Sequence, residues 1–170
     1  MENIRKEIQT LVNLYRSQQL YKAEELNNKL LKVYPKVVIL YNILGLILTS
    51  QKRLDEAIQS YEKGISIDPG SAEIYDNLGT VYKMQTNYVK AENYYKKSID
   101  LNSTIPEPQN NLANLYITLN REQEGIDCYK KAINIKPNFF IAHYNLAVAY
   151  KNIGKFEEAK KYLNESIKLN

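Results

Sequence analysis

The hydrophobic residues of this chain form two short helical patterns with a polar break between them. Over residues 75–99 the apolar and small positions are Tyr75, Leu78, Gly79 and Tyr82, followed by Tyr88, Ala91, Tyr95 and Ile99. The first half follows the spacing i, i+3, i+4, i+7 and the second the spacing i, i+3, i+7, i+11, and both place these residues on one face of an amphipathic helix. The polar pair Thr86 and Asn87 separates the halves, so the segment is predicted to fold as helix, short turn, helix.

This pattern recurs every 34 residues along the chain. Three series of residues share that step: Leu44, Leu78, Leu112 and Leu146; Ala23, Ala57, Ala91, Gly125 and Ala159; Pro35, Pro69, Ser103 and Pro137. If repeats start at Ile4, Val38, Ala72, Pro106 and Phe140, five of them span residues 4–37, 38–71, 72–105, 106–139 and 140–170. The positions within each repeat are numbered here as slots 1 to 34. A period of this length is typical of stacked helix pairs, so the sequence predicts one all-α array over residues 1–170, a right-handed α-solenoid.

The small and large residues of the repeat occupy complementary slots. Gly or Ala fills slots 8 and 20 in most repeats, whereas tyrosines recur at slots 4, 11 and 24. A small residue lets two helices approach closely, and a large aromatic residue opposite it fills the space. We therefore interpret these recurring residues as the packing core of each helix pair.

Composition excludes several classes of function. The net charge is +4, but the lysines are scattered and often adjoin acids, whereas a nucleic-acid-binding protein usually concentrates its basic residues on one face. The longest apolar stretch, residues 37–48, is shorter than the about 20 residues that span a bilayer. The single cysteine, Cys128, and a charged N-terminus without an apolar core favour a reducing, cytoplasmic location over secretion. We thus expect no nucleic-acid partner and no membrane insertion.

No set of residues forms a catalytic motif. His143 is the only histidine, has no neighbouring partner in sequence, and occupies the slot filled by Tyr41 and Tyr75, so core packing is the favoured interpretation. Cys128 has no second ligand beside it and is interpreted as an inert or partly exposed thiol. Acidic pairs recur near the start of the second helices, where the helix dipole favours them. The sequence predicts neither an enzyme nor a cofactor or metal site.

The repeat resembles the tetratricopeptide repeat (TPR), whose pattern is an aromatic residue, Leu-Gly, Tyr, then Ala, an aromatic residue and Pro at fixed spacing. Repeats 2 and 3 match well, with Tyr41, Leu44, Gly45, Ala57, Tyr61 and Pro69, and with Tyr75, Leu78, Gly79, Tyr82, Ala91 and Tyr95. Repeat 4 departs at Gln109 and Gly125, repeat 5 at His143, and repeat 1 at Glu7, Thr10 and Leu11. The resemblance covers essentially the whole chain and implies a protein-binding function, although the matching residues are structural.

In that family the first helices line a concave groove through slots 2, 5, 6, 9, 12 and 13, and the groove holds extended peptides. Carried over by slot, the resemblance implies a peptide-binding site of Asn42, Asp76, Asn77, Thr80, Asn110, Asn111, Asn114, Tyr144 and Asn145. Asn77, Asn111 and Asn145 share slot 6, which is similar to the asparagine ladder of the O-linked N-acetylglucosamine transferase superhelix and of kinesin light chains. Each amide can donate to and accept from a peptide backbone. Alternatively, Asn before Leu-Gly serves only to cap or hydrate the helix.

The N-terminal part of the same surface is apolar instead of polar. It comprises Ile8, Val12, Ile39, Ile43 and Leu46, and we call these residues the N-terminal patch. Exposed apolar clusters usually mark an interaction site. The sequence leaves three possibilities for what buries the N-terminal patch: an apolar anchor of a partner peptide, a second copy of the chain, or the degenerate first helix leaning inward.

Two functional hypotheses follow. The leading one is a protein- or peptide-binding scaffold module that holds an extended segment of its partner. The alternative is the N-terminal substrate-recruiting region of a larger glycosyltransferase or sulfotransferase-type enzyme. The fifth repeat carries no obvious additional solvating helix, and open-ended arrays generally need polar caps, so a reading frame that continued past Asn170 would favour the alternative.

Overall fold

The repeat predicted from the 34-residue period is present as ten consecutive α-helices in the part of the chain that the structure describes. The computed structural model describes residues 2–169, and side chains from residue 4 onward. The helices within those residues are α1 (Glu2–Arg16), α2 (Leu20–Val33), α3 (Val38–Ser50), α4 (Leu54–Ile67), α5 (Ala72–Met84), α6 (Tyr88–Leu101), α7 (Pro106–Thr118), α8 (Glu122–Ile135), α9 (Phe140–Asn152) and α10 (Phe156–Leu169). Residues 2–169 contain no strand. The first helices of repeats 2 to 5 begin at the predicted first residue of each repeat, and the all-α repeat fold is confirmed.

The packing divides the chain into two compact units. Unit 1 ends at Val81 and unit 2 begins at Tyr82, so the division falls within α5. Unit 1 contains α1 to α4 and most of α5, and unit 2 contains the end of α5 and α6 to α10. Each unit is described by itself below.

The turn inside every repeat uses one residue in the left-handed backbone conformation, always at slot 15. The φ angles of Gln18, Lys52, Thr86, Asn120 and Gly154 are 58, 64, 59, 55 and 75°. The N–H of the next residue bonds back to the carbonyl at slot 11, for example from Asn87 to Tyr82 at 2.9 Å. This is a Schellman motif, which satisfies carbonyl groups at the end of the first helix. Repeats 1 to 4 form it with a residue that has a Cβ atom, in a conformation that favours glycine.

The predicted contact between small and large residues is visible where Gly45 meets Tyr61 in unit 1. A Cβ atom added to Gly45 would lie 2.3 to 2.7 Å from three ring atoms of Tyr61, and Tyr61 is almost fully buried. The phenol of Tyr61 also has a raised pKa, chiefly because it is buried. The absence of a side chain at slot 8 therefore determines how closely α3 and α4 approach.

Arginine at slot 16 links the second repeat to the first, and the fourth to the third. Arg53 donates to Glu56 at 2.6 and 2.7 Å and to Glu24 of repeat 1 at 2.8 and 2.9 Å. In unit 2 Arg121 makes the same pair of contacts, with Glu124 and with Glu92 of repeat 3. We call each of these three-residue groups an arginine bracket. The bonds from Arg53 and Arg121 hold the carboxyl pKa of Glu56 and of Glu124 below its usual range.

Candidate functional site: the first-helix face

Slots 2, 5, 6 and 9 of the first helices define the candidate site, which we call the first-helix face. In unit 1 it is formed by α3 and α5, whose asparagines contact each other. The Nδ2 of Asn77, at slot 6 of repeat 3, donates to the Oδ1 of Asn42, at slot 5 of repeat 2, at 2.7 Å. Asn42 is buried and Asn77 is half-buried. A longer contact of 3.5 Å joins Asn42 to the exposed Glu73.

The same amide pair occurs in unit 2, between α7 and α9. The Nδ2 of Asn145 donates to the Oδ1 of Asn110 at 3.0 Å, again from slot 6 to slot 5 of the preceding repeat. Asn110 is buried and Asn145 is half-buried. A buried amide oxygen without a partner would be costly, so each pair stabilises the contact between two consecutive repeats. We call these contacts the amide pairs.

The other predicted polar residues fall into two groups. Asp76, Thr80, Asn111 and Asn114 are half-buried on the first helices. The Oδ1 of Asn114 accepts from the hydroxyl of the buried Tyr129 at 2.5 Å, so part of its capacity is used inside the repeat. Tyr144 is different, because it is 52% exposed at the slot where Asn42 and Asn110 are buried.

The N-terminal patch is largely covered within the chain. Ile43 is only 5% exposed and belongs to the core cluster of unit 1, and Ile8 and Val12 of α1 pack against that cluster. Leu46 is half-buried, and Ile39 is the exposed member. Of the three possibilities that the sequence left for burying this patch, contact from the first helix is present in the structure.

The two single residues weighed for chemistry lie in the interior. His143 is buried, as expected for core packing, and its Nε2 lies 2.9 Å from the carbonyl oxygen of Pro137. Cys128 is buried rather than partly exposed, and burial raises the pKa of its thiol. Among the described residues, no group of three or more His, Cys, Asp or Glu is placed to hold a metal ion. No helix within residues 2–169 has the length and apolar character to cross a bilayer.

Sequence reasoning missed the amide pairs and the apolar surface of the last repeat. A signal for the pairs exists, because Asn occupies slot 5 in repeats 2 and 4 and slot 6 in repeats 3 and 5. The exposed apolar residues of the fifth repeat include Phe140, Ile141 and Val148. Ile141 and Val148 occupy slots 2 and 9, as Ile39 and Leu46 of the N-terminal patch do.

A chain of stacked helix pairs that recur every 34 residues is a helical-repeat protein. Sequence models described as tetratricopeptide repeat match residues 72–105 and 140–170, and a model described as TPR repeat matches residues 45–85 and 116–154. Together they span more than half of the chain. The chain belongs to the tetratricopeptide repeat family.

Solved structures with the same fold include three with differing degrees of similarity. The crystal structure of MamA is 27% identical and covers 92% of both chains, with a TM-score of 0.75. PilF of Pseudomonas aeruginosa is 15% identical, covers 98% of this chain and 76% of its own, and has a TM-score of 0.87. YrrB, described as a TPR protein with an unusual peptide-binding site, is 20% identical, covers 96% and 84%, and has a TM-score of 0.66. Among curated proteins the sequence has no significant match.

Proposed function

We propose that this chain is a non-catalytic scaffold module that binds an extended segment of a partner protein on the first-helix face. The observation that carries the proposal is that the slot 6 asparagines are half-buried, so each remains partly accessible to solvent and to a ligand. In unit 2 these are Asn111 and Asn145, on the consecutive first helices α7 and α9. YrrB, which shares the fold, is described as having a peptide-binding site.

In each amide pair the half-buried member, Asn77 or Asn145, keeps part of its amide available for a ligand. The bond from Asn145 to Asn110 engages one N–H of Asn145, whereas a primary amide carries two N–H groups and an oxygen that can accept twice. A peptide running across α7 and α9 can therefore pair its backbone with these side chains. Binding of this kind reads the backbone and tolerates many peptide sequences, as in the similar asparagine ladder of O-linked N-acetylglucosamine transferase. We place this function in the cytoplasm, and the single buried cysteine supports a reducing compartment.

The test compares groove amides with surface amides of the same unit. A library of unstructured 15-residue peptides is screened against the chain, and the best binder is titrated by calorimetry against Asn111→Ala/Asn145→Ala. We expect affinity to fall about 5- to 150-fold, because two hydrogen bonds are each worth about 0.5–1.5 kcal/mol. The control, Asn93→Ala/Asn134→Ala, removes two exposed amides from the second helices α6 and α8 and should leave affinity unchanged.

Stability must be measured beside affinity, since Asn145→Ala also breaks an amide pair. We expect a loss of about 1–3 kcal/mol in the free energy of unfolding, because the buried Oδ1 of Asn110 loses its partner. If the double variant binds the peptide as well as the parent protein does, the amides hold only the repeats together and the proposed site is wrong.

A further inference from the structure

The last repeat has an open apolar cleft between its two helices. The cleft has a volume of about 260 Å³ and is lined by Phe140, Ile141, Tyr144, Leu163, Ser166 and Ile167. All of these except Ser166 are exposed, and Ile167 is 67% exposed. We call this cavity the terminal cleft. It belongs to α9 and α10 alone and is separate from the amides of α7.

Earlier repeats show what such a cleft receives. Slot 27 of one repeat faces slot 3 of the next: Leu30 and Leu40 share the core cluster of unit 1, and Ala132 and Ala142 share a cluster in unit 2. A Cβ atom added to Gly64, at slot 27 of repeat 2, would lie 2.6 Å from Cδ1 of Ile74, at slot 3 of repeat 3. The side chain at slot 3 of a first helix therefore enters the space between the two helices of the preceding repeat.

The terminal cleft has the same construction. Its slot 27 residue is Ser166, whose hydroxyl is turned inward to the carbonyl oxygen of Phe140 at 3.0 Å. Apolar side chains at slots 1, 2, 24 and 28 form its walls. At slot 5, where Asn42 and Asn110 bond to an asparagine of the next repeat, the fifth repeat has Tyr144. The surface that would meet a further helix is thus more apolar than at the two amide pairs.

The first helix of a second copy does not fit this cleft. Its residues at slots 3 and 7 are Lys6 and Thr10, and both are exposed, whereas the fitting helices carry aliphatic residues there, such as Ile74 and Leu78, both fully buried. Placing a lysine ammonium among apolar side chains is unfavourable. Head-to-tail stacking of identical chains is therefore disfavoured.

We propose that the terminal cleft docks an amphipathic helix of a partner protein that presents aliphatic side chains at positions i and i+4. The first of these side chains fills the space between α9 and α10, and the second packs beside it one turn further along. This is helix-in-groove recognition, and it is distinct from the extended-peptide binding proposed for the first-helix face.

The chain itself supplies a probe of the required chemistry. A capped peptide of residues 71–86 carries Ile74 and Leu78 and is polar enough to handle in solution. This peptide is added to the 15N-labelled 170-residue chain, and the backbone amide shifts are followed by NMR. A final peptide concentration of about 1 mM allows dissociation constants up to the millimolar range to be detected. We expect saturable shifts concentrated in α9 and α10, and at least tenfold weaker binding when the peptide carries Ile74→Asp.

Two chain variants complete the test. Ile167→Glu places a charge at the rim of the terminal cleft and should weaken binding at least tenfold, with an unchanged melting temperature because the side chain is exposed. Val89→Glu, at a residue 73% exposed on α6, should bind like the parent. The proposal is overturned if no shifts appear, if they lie outside α9 and α10, or if Ile167→Glu binds normally. It is equally overturned if light scattering shows a dimer that Ile167→Glu dissociates, because a second copy would then be the occupant.

Discussion

Gly45→Ala sets two effects of opposite sign against each other. Alanine is more favourable than glycine inside a helix by about 1 kcal/mol. Its Cβ, however, would lie as close as 2.3 Å to the ring of Tyr61, where ordinary contact begins at 3.4 Å. The ring must therefore shift by about 1 Å, and as it is buried at the α3–α4 contact it has no free space to enter. Overpacking costs about 1–3 kcal/mol, and displacement of a buried ring by about 1 Å belongs in the upper part of that range. After subtraction of the gain in helix propensity, we expect a net loss of about 1–2 kcal/mol.

Gly125→Ala is the matched control, because it makes the same chemical change at slot 20 of repeat 4. There the new Cβ would meet the end of the Ile117 side chain, at 2.6 and 2.9 Å, and the carbonyl oxygen of Ala113 at 3.2 Å. The Ile117 side chain is half-buried and can rotate away. The gain in helix propensity then offsets most of the steric cost, and we expect a change within about 0.5 kcal/mol.

Urea unfolding followed by circular dichroism measures both variants, with the slope checked for two-state behaviour. Heating gives a second measure, since 1 kcal/mol corresponds to a shift of about 2–4 °C for a chain of this size. A Gly45→Ala protein as stable as Gly125→Ala would show that the Tyr61 ring relaxes freely, and the account of close packing at slot 8 would be wrong.

Three further predictions test the turn, the arginine bracket and a buried amide. Thr86→Gly should stabilise the chain by about 1 kcal/mol in urea unfolding, because it removes a β-branched residue from the left-handed backbone conformation. Asn120→Gly should stabilise it less, because Asn tolerates that conformation. Equal gains in the two variants would contradict the strain argument. Burial raises the pKa of Glu92, but hydrogen bonds from Lys96, Arg121 and Tyr116 lower it more, so the net shift is downward. The carboxylate therefore contributes fully to the free energy of unfolding above the unfolded pKa of about 4.3. This contribution is lost as the pH falls below that value. Glu92→Gln should therefore flatten the decline in unfolding free energy between about pH 5 and pH 3, and an unchanged slope would count against the bracket. Asn27 is fully buried, and both its side-chain polar atoms lack a hydrogen-bond partner. Asn27→Leu should therefore raise the free energy of unfolding by about 1–3 kcal/mol. A less stable variant would indicate that this amide has a partner.

The fold was predictable because the period constrains every repeat at once. The helix starts at Val38, Ala72, Pro106 and Phe140 follow directly from the 34-residue step, and the turn at Thr86 and Asn87 follows from the polar break. Packing of small residues against tyrosines also followed from the residue types, as the contact of Gly45 with Tyr61 shows. Neither inference required knowledge of how one repeat is placed on the next.

The candidate site was less predictable because it depends on contacts between repeats. Asn42 and Asn77 are 35 residues apart and meet only through the packing of α3 against α5. A slot-by-slot transfer assigned both to ligand binding, whereas the structure uses part of each to join repeats. The burial of Ile43 was hard to foresee for a related reason, because α1 lacks the aromatic residue and glycine that would indicate which of its sides packs inward.

The arginine brackets and the amide pairs alternate along the chain, and this alternation bears on how the protein avoids misfolding. Brackets join repeat 1 to 2 and repeat 3 to 4, whereas amide pairs join repeat 2 to 3 and repeat 4 to 5. If repeat 3 docked on repeat 1 during folding, Glu24 would face Asn87 in place of Arg53 and its bracket would be lost. Chains built from similar repeats are prone to such misassembly. Two kinds of junction used in turn give each repeat a means to distinguish its proper neighbour from the next but one.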